Sequence, residues 1–291
     1  MTDTFATDDT APDLTYSHPG QSPFRRALIR AVERASGQPM LRGLYRDWQA
    51  GPRHEESVFD AALRLLRIAP RSTWHLPASN IPQTGGLLLV ANHPYGIIDG
   101  LALGQLGMRL RGNVQILTNS VLCQPPEVAP HLLPIDFSGT PEGRKTSGQS
   151  RKLAVELLSA GKVVAIFPGG GIATANSPIR GRAHDAEWHA FLGRLATLPN
   201  VTTLPVHFAG QNSRLFQMAS HLSYPLRIAL IFHETRRLMG RPLDMTIGQP
   251  ITAETLAGIA RNDIAAELRR RTMALGGQGD EVFRWPAHVK W

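Results

Sequence analysis

The sequence of 291 residues has few of the groups that covalent or metal-centred chemistry needs. Cys123 is the single cysteine, so no disulfide can form within the chain and no C-x-x-C redox or zinc motif is present. "HDAEWH" places His184 and His189 five residues apart, whereas the H-E-x-x-H zinc motif places them four apart. The G-x-G-x-x-G, P-loop and G-x-S-x-G patterns are also missing. We therefore expect no metal, no cofactor and no nucleotide site.

The sequence also lacks an apolar run near the ~20 residues that a membrane-spanning helix needs. Residues 1–22 contain four aspartates and no Lys or Arg. They do not have the layout of a signal peptide and are expected to form a disordered tail. Because the whole chain has 31 Lys and Arg against 23 Asp and Glu, residues 23–291 carry a net charge of +12. This charge indicates an anionic partner, such as a nucleic acid, an acidic protein or an anionic membrane.

Residues 23–70 show apolar side chains at helical spacing. The pattern predicts three helices, at residues 24–36, 40–49 and 56–68. The first helix also carries four basic side chains on its other faces: Arg25, Arg26, Arg30 and Arg34. This segment is interpreted as an amphipathic helical module. Its helices either pack on a core or form a basic surface that binds anionic lipid.

From residue 71 onward, short uncharged runs alternate with helical patterns. Strands are predicted at 86–91, 113–119, 162–167, 202–208 and 243–248. Helices are predicted at 99–112, 150–161, 185–197, 226–239 and, as one or two segments, 251–275. This alternation predicts an α/β domain over residues 71–275, with a mostly parallel central sheet flanked by helices. Residues 276–291 are left as a C-terminal tail.

In such domains, functional groups gather in the loops at the carboxyl ends of strands, and "NHPYGIID" is the loop after the first uncharged strand. On one helix, His93 and Asp99 would be about 240° apart. Pro94 and Gly96 instead favour a turn, with Asp99 as N-cap of the next helix. A turn can bring the Asp99 carboxylate to one ring nitrogen of His93 and leave the other as a general base. The alternative is an ordinary surface histidine beside a capping aspartate.

A second loop, "PGGGIATA", follows the strand at 162–167. Gly169, Gly170 and Gly171 leave their backbone N–H groups uncovered. Such a loop can hold an anion or the oxyanion of a tetrahedral intermediate. A tight turn without a ligand is the alternative.

Three motifs in order, "NHPYGIIDG", "IFPGGG" and "LPVHFAGQNSRLF", resemble the lysophospholipid (1-acylglycerol-3-phosphate) acyltransferase superfamily. The resemblance covers about residues 72–252, and the H-x5-D spacing is similar to its hemolysin-like, aminolipid O-acyltransferase branch. It implies the glycerolipid acyltransferase fold and transfer of a fatty acyl group from acyl carrier protein or acyl-CoA to a lysolipid hydroxyl. His93 and Asp99 then form the catalytic dyad. Oxyanion and substrate contacts are assigned to Asn92, Phe167, Pro168, Gly169, Gly170 and Gly171.

The third block departs from the family pattern Phe-Pro-Glu-Gly-Thr-Arg. Gly169 stands in place of the glutamate and Ile172 in place of the arginine. Because that region of the family helps to bind the acceptor phosphate, the loss of both charges favours a lyso-aminolipid, of ornithine type or similar, over lysophosphatidate. A cation from elsewhere in the chain can replace the missing arginine, and the candidates are Arg144, Arg180 and Arg182.

The acyltransferase hypothesis implies peripheral attachment to the cytoplasmic face of the plasma membrane through its anionic lipids. No zinc finger or RNA-binding aromatic signature occurs, so nucleic acid is not an expected partner. A lysophosphatidate or lysophospholipid acyltransferase is the alternative within the same chemistry. A hydrolase that uses water as acceptor is another alternative, and a non-catalytic basic protein that binds membranes or nucleic acid is the last.

Overall fold

The computed structural model describes residues 15, 17, 22–52, 55–123, 125–137, 139–286, 288 and 289. Most of the predicted tail at residues 1–22 lies outside this part of the chain, and so does the side chain of Arg25. In the described residues, no helix is both long enough and apolar enough to cross a bilayer.

The centre of the molecule is a sheet of eight strands. In spatial order it contains β1 (Ala69–Trp74), β9 (Pro242–Ile247), β8 (Val201–Phe208), β2 (Gly86–Ala91), β5 (Val163–Ile166), β3 (Gln115–Asn119) and β4 (Leu132–Ile135), with β10 (Ile251–Thr252) paired to β8. The pairs β1–β9, β2–β8, β2–β5, β3–β5 and β3–β4 are parallel, and β8 is antiparallel to β9 and β10. A separate two-stranded ribbon joins β6 (Thr174–Ala175) to β7 (Ala183–His184). The predicted α/β class with a mostly parallel sheet is confirmed.

Helices cover both faces of this sheet. They are α1 (Pro23–Ser36), α2 (Gln38–Ala50), α3 (Val58–Leu65), α4 (Ile97–Arg111), α5 (Pro141–Ser159), α6 (Phe191–Ala196), α7 (Arg214–Leu222), α8 (Tyr224–Ala229), α9 (Ile231–Leu238), α10 (Ala253–Leu256) and α11 (Ile264–Ala274). Strand β2 is fully buried, and its side chains alternate between two cores. Leu87 and Leu89 join the core that includes α3 and α4, and Leu88 joins the core of α5, α6 and α11.

The N-terminal helices pack directly on the sheet domain. Phe59 of α3 is 1% exposed and lies in the same core cluster as Leu87. A Cβ atom on Gly104 of α4 would come within 2.4 Å of the Phe59 ring, so glycine permits this close contact between α3 and α4. Helix α1 packs against α8 and α9.

Several element boundaries differ from the sequence prediction. The predicted helix at 185–197 is reduced to α6, Phe191–Ala196, because the backbone and side chains around Asp185 bond instead to neighbouring loops. The predicted helix at 226–239 is two helices, α8 and α9, separated at Leu230. Strands β1 and β4 lie at the sheet edges and were not predicted, since β1 is mostly exposed and polar and β4 contains Pro134.

Candidate active site

The two loops identified in the sequence meet at the centre of the sheet. Strands β2 and β5 are parallel neighbours, with Val90 opposite Ile166. Because the carboxyl ends of parallel neighbours emerge side by side, the loop of His93 and the glycine loop start next to each other. The ring of His93 stacks on the ring of Phe167, with centroids 4.1 Å apart and an interplanar angle of 27°.

His93 and Asp99 form the expected pair. Nδ1 of His93 lies 3.1 Å from Oδ2 of Asp99, although the ring is not turned for a linear hydrogen bond. Such contacts commonly tighten only when substrate is bound. The backbone N–H groups of Tyr95 and Gly96 donate to the same oxygen at 2.7 and 3.0 Å. The carboxylate is thereby fixed before any substrate arrives.

Asp99 occupies a different helix position from the predicted N-cap. Gly96 is the N-cap of α4, with φ of +90°, and Asp99 is the third residue of the helix. The Pro94-Tyr95-Gly96 turn starts the helix earlier, because glycine adopts this positive φ without strain. From the third position, the carboxylate reaches back to the Gly96 N–H and toward His93.

Burial dominates the electrostatics of Asp99. Its side chain is fully buried, which raises the pKa of the carboxyl, while the proximity of His93 and the two backbone donors lowers it. Oδ1 of Asp99 has no hydrogen-bond partner among the described residues. The second ring nitrogen of His93 is left for the cavity that this histidine lines.

A cavity of about 380 Å³ opens from the His93 ring. Its walls are mainly apolar and come from helices α2, α3, α4, α8 and α9 and from strands β3 to β5. Leu41, Trp48 and Leu65 line the part formed by α2 and α3. Its size is within the range of small-molecule sites, and its apolar walls suit a hydrocarbon chain.

The glycine loop divides between the cavity and the protein interior. Phe167, Pro168, Gly170 and Gly171 line the cavity, whereas Gly169 does not. The N–H of Gly170 donates to the Phe167 carbonyl at 3.1 Å within the turn. For Gly171 no such bond is formed among the described residues, so its N–H is the better oxyanion candidate of the two.

Asp185 fills the space beside Gly169. A Cβ atom at position 169 would lie 3.3 Å from Cβ of Asp185 and 3.4 Å from its Oδ2. Oδ1 of Asp185 accepts from the His93 backbone N–H at 3.1 Å, and Oδ2 accepts from Nε1 of Trp188 at 3.0 Å. Burial raises the pKa of this carboxyl, and the two donors oppose that shift. A second buried carboxylate therefore holds the backbone of the histidine.

Other predicted contacts do not reach the cavity. The Asn92 side chain donates to the Phe208 carbonyl at 2.9 Å and accepts from the Phe208 N–H at 2.7 Å, so it ties β2 to β8. Arg144, Arg180 and Arg182 are exposed, and none of them lines the cavity. The oxyanion role predicted for Asn92 and the head-group role predicted for these arginines therefore have no support in the geometry.

Sequence reasoning missed two charged residues of the site, Asp185 and Arg227. Arg227 of α8 is buried, lines the cavity and donates to the Ile172 carbonyl. Asp185 lies in the "HDAEWH" segment and Arg227 lies in no motif, and each approaches the glycine loop only through tertiary packing. Among the described residues, no group of three His, Cys, Asp or Glu side chains is arranged to hold a metal.

The fold and the site together define an α/β protein with a buried carboxylate–histidine pair at the mouth of an apolar cavity. Residues 77–209, somewhat less than half of the chain, match the family model described as Acyltransferase. The match includes both loops and agrees with the resemblance to the lysophospholipid acyltransferase superfamily.

Two curated relatives have the same name, lyso-glycine lipid O-acyltransferase. The protein from Phocaeicola vulgatus is 30% identical over 186 residues, which are 60% of this chain and 63% of the relative. The protein from Bacteroides thetaiotaomicron is 28% identical over 183 residues, 60% of this chain and 64% of the relative. The matched part of this chain thus spans less than two thirds of either relative.

Among solved structures, the chain is similar to the 1-acyl-sn-glycerophosphate acyltransferase PlsC from Thermotoga maritima. The two share 13% sequence identity, with a TM-score of 0.47 and coverage of 87% of this chain and 80% of the other.

Proposed function

We propose that the protein is an O-acyltransferase that moves a fatty acyl group from an acyl thioester to the hydroxyl of a lysolipid. The observation that carries this proposal is the His93–Asp99 pair, set beside Phe167 at the mouth of a mainly apolar cavity. The acyltransferase-family match and the two relatives support it. Acyl carrier protein and acyl-CoA are the candidate donors.

The reaction needs only a base and an oxyanion site. His93 accepts the proton of the acceptor hydroxyl as its oxygen attacks the thioester carbonyl, and the buried Asp99 carboxylate stabilises the imidazolium. The Gly171 N–H stabilises the tetrahedral oxyanion. When the C–S bond breaks, the leaving thiolate takes the proton from His93, which yields an ester, a free thiol and the original imidazole.

The favoured acceptor is a lyso-aminolipid with its hydroxyl on a 3-hydroxyacyl chain. The third block offers no charged side chain of its own for a phosphate, since Gly169 and Ile172 occupy the two charged positions of the family pattern. Both relatives are named for O-acylation of a lyso-glycine lipid, whose name indicates an amino-acid component. Lysophosphatidate is the second candidate acceptor.

Transfer assays with purified protein test this proposal. Acyl-CoA and acyl-loaded acyl carrier protein are each supplied with N-(3-hydroxyacyl)glycine, the ornithine analogue, lysophosphatidate or no acceptor. We expect ester formation with the amino-acid lipids and little thioester hydrolysis without acceptor. Equal thiol release with and without acceptor indicates a hydrolase, and no reaction with any acceptor contradicts the enzymatic proposal.

We further propose peripheral binding to the anionic cytoplasmic leaflet. Two helices that pack against α8 expose large apolar side chains: Phe24 and Leu28 on α1, and Leu215, Met218 and Leu222 on α7. Arg26, Arg30 and Arg34 add positive charge to α1. Exposed apolar residues beside cations are typical of surfaces that bind anionic membranes. Trp285, near the C-terminus, packs on Arg227: Cζ of Arg227 lies 4.9 Å from the centroid of the Trp285 ring. We therefore assign Trp285 no role at the membrane.

A further inference from the structure

Arg227 is the largest side chain that is completely enclosed in the described part of the protein, with 1% exposure. It lies on α8 between two aromatic rings, with Cζ 4.9 Å from the ring centroids of Phe216 and Trp285. Its pKa is lowered to about 10, mainly by burial, so the guanidinium stays charged at neutral pH. A charge in this position needs a physical explanation, because burying an ion without a counter-ion is costly.

The protein gives this guanidinium only neutral acceptors. Nη1 donates to Ser220 Oγ at 2.8 Å and to Thr174 Oγ1, and Nη2 donates to the Ile172 carbonyl. No carboxylate of the described residues lies within ion-pair distance. Because an arginine has five N–H donors, two of them have no acceptor among these residues. Among the described residues, the positive charge therefore has no counter-ion and two of its donors have no acceptor.

Arg227 also lies close to the catalytic pair along the chain of contacts. It donates to the carbonyl of Ile172, and the next residue, Ala173, donates its N–H to the His93 carbonyl at 2.7 Å. Both His93 and Arg227 line the same cavity. Ile172 stands at the position where the family pattern has an arginine. Helix α8 thus brings the guanidinium of Arg227 to the position that lacks an arginine of its own.

We propose that Arg227 binds the free carboxylate of the acceptor's head group while His93 activates its hydroxyl. This inference rests on the proposed acyl transfer and specifies how the acceptor is recognised. The acceptor class is an N-(3-hydroxyacyl) amino acid with an unmodified α-carboxylate. A guanidinium can hold such a carboxylate through two parallel hydrogen bonds.

The charge favours a carboxylate over a phosphate. Among the described residues, the other arginine that lines the cavity is Arg151 of α5. It is exposed and stands over the Phe191 ring, with 5.6 Å from Cζ to the centroid. One buried guanidinium neutralises a carboxylate of charge −1, whereas a phosphate monoester carries about −1.5 to −2 near pH 7.

The first test needs no variant. N-(3-hydroxyacyl)glycine and its methyl ester are compared as acceptors with one acyl donor, since esterification removes the charge and leaves the hydroxyl unchanged. We expect kcat/KM for the acid to exceed that for the ester by ~10–100-fold, as for a hydrogen bond to a charged group. Equal values for acid and ester overturn the inference.

The second test locates the effect at Arg227. Arg227→Met is expected to lower kcat/KM for the acid by ~10–100-fold and to remove most of the preference over the ester. Arg227→Lys keeps the charge and should retain part of that preference. Arg194→Met, on the exposed face of α6, is the matched control. An equal loss with acid and ester in a folded Arg227→Met protein indicates a structural role and overturns the inference.

Two further arms separate this inference from the proposed function. Calorimetric binding of N-(3-hydroxyacyl)glycine to wild type and Arg227→Met does not require turnover. If no acyl transfer occurs but the acid binds more tightly to wild type, the anion site stands and the proposed reaction fails. If lysophosphatidate is the preferred acceptor and Arg227→Met removes that preference, the bound group is a phosphate and the carboxylate assignment is wrong.

Discussion

The loops that follow β2 and β5 supply the site in opposite ways. The loop after β2 contains its own functional side chains. His93, the turn and Asp99 lie within seven residues, and their contacts are local. After β5, the glycine loop carries no charged side chain. Its charges come from Asp185 beside Gly169 and from Arg227 at Ile172, 55 residues away.

This difference shows that a substitution in a motif does not by itself remove a charge from a site. The glutamate and arginine of the family block are absent, yet a carboxylate and a guanidinium lie beside the same two positions. Gly169 leaves room for Asp185, because any side chain at 169 would press on that carboxylate. Substitutions of His93, Asp99 and Asp185 therefore test whether the dyad and the carboxylate beside the glycine loop contribute as proposed.

The largest effect is expected from His93→Ala. Removing a general base typically lowers the rate by ~10²–10⁴-fold, and no second histidine of the described part of the chain pairs with Asp99. The ring is partly exposed at the cavity, so the fold should tolerate alanine. Initial rates of ester formation, with circular dichroism as the folding control, measure this. Turnover close to wild type in the folded variant contradicts the mechanism.

Asp99→Asn should lower activity by ~10²-fold without loss of stability. The amide oxygen can still accept from the Tyr95 and Gly96 N–H groups, but the amide cannot stabilise the imidazolium. Because the pKa of Asp99 is raised in the folded state, the free energy of unfolding falls as pH rises from the unfolded value near 3.8 through the folded value. The asparagine variant avoids this cost.

Thermal unfolding at pH 7.5 and at pH 4 is the measurement for Asp99→Asn. We expect a Tm equal to or above that of wild type at pH 7.5, with a smaller gain at pH 4. A clear drop in Tm at pH 7.5 indicates that the ionised carboxylate stabilises the fold, which contradicts the argument from burial.

Asp185→Asn tests the carboxylate that Asp185 places beside Gly169. Only one acceptor oxygen remains for the His93 N–H and Trp188 Nε1–H, so the histidine backbone is held less firmly. The expected loss in kcat is ~10-fold, with little change in KM, because Asp185 contacts the base and not the substrate. Glu187→Gln, on an exposed neighbour in the same segment, is the control. A change confined to KM argues against a positioning role.

A paired substitution sharpens this comparison. Gly169→Glu alone should be damaging, since Asp185 lies 3.3–3.4 Å from the site of the new Cβ. In an Asp185→Ala background, the same glutamate restores a carboxylate in the family's arrangement. Recovery of kcat in the double variant above that of Asp185→Ala supports exchange of one carboxylate for another, whereas additive losses do not.

The extent of prediction from sequence follows the same division. Local signals predict strand β2, its turn and the proximity of His93 and Asp99: an uncharged apolar run, Pro94 and Gly96, and the His–Asp spacing. The edge strands β1 and β4, the irregular segment at Asp185 and the role of Arg227 depend on packing between distant residues. The head-group role predicted for Arg144, Arg180 and Arg182 lacks support in the geometry for this reason: sequence shows which residues are cationic, but not which cation is buried.

Gly100 offers a smaller effect on the acyl chain. It lines the cavity from α4, its Cβ would meet nothing within 4 Å, and its φ is not positive. Gly100→Leu should therefore fill the cavity without a clash, and leucine also raises helix propensity by up to ~1 kcal/mol. We expect a several-fold shift in kcat/KM toward shorter acyl donors with an unchanged or higher Tm, and Gly100→Ala as the control should shift little. If Gly100→Leu leaves the preference for acyl-chain length unchanged, the acyl chain does not bind in this part of the cavity.

The smallest effects are expected at the membrane surface, which lies outside both loops. Replacing Phe24 and Leu28 by Ser removes apolar side chains that are 81% and 51% exposed, so the fold should change little. Arg26→Gln and Arg34→Gln each remove a cation worth ~1 kcal/mol near an anionic bilayer, or about fivefold in partitioning. Sedimentation with phosphatidylglycerol vesicles should show both losses, and the loss from the arginine variants should shrink at high salt.

Because the dyad and Arg227 are unchanged, turnover of a short, water-soluble acceptor should match wild type. Equal binding of wild type to neutral and anionic vesicles contradicts the electrostatic part of this proposal, and a parallel fall in soluble turnover indicates damage to the fold rather than to a membrane surface.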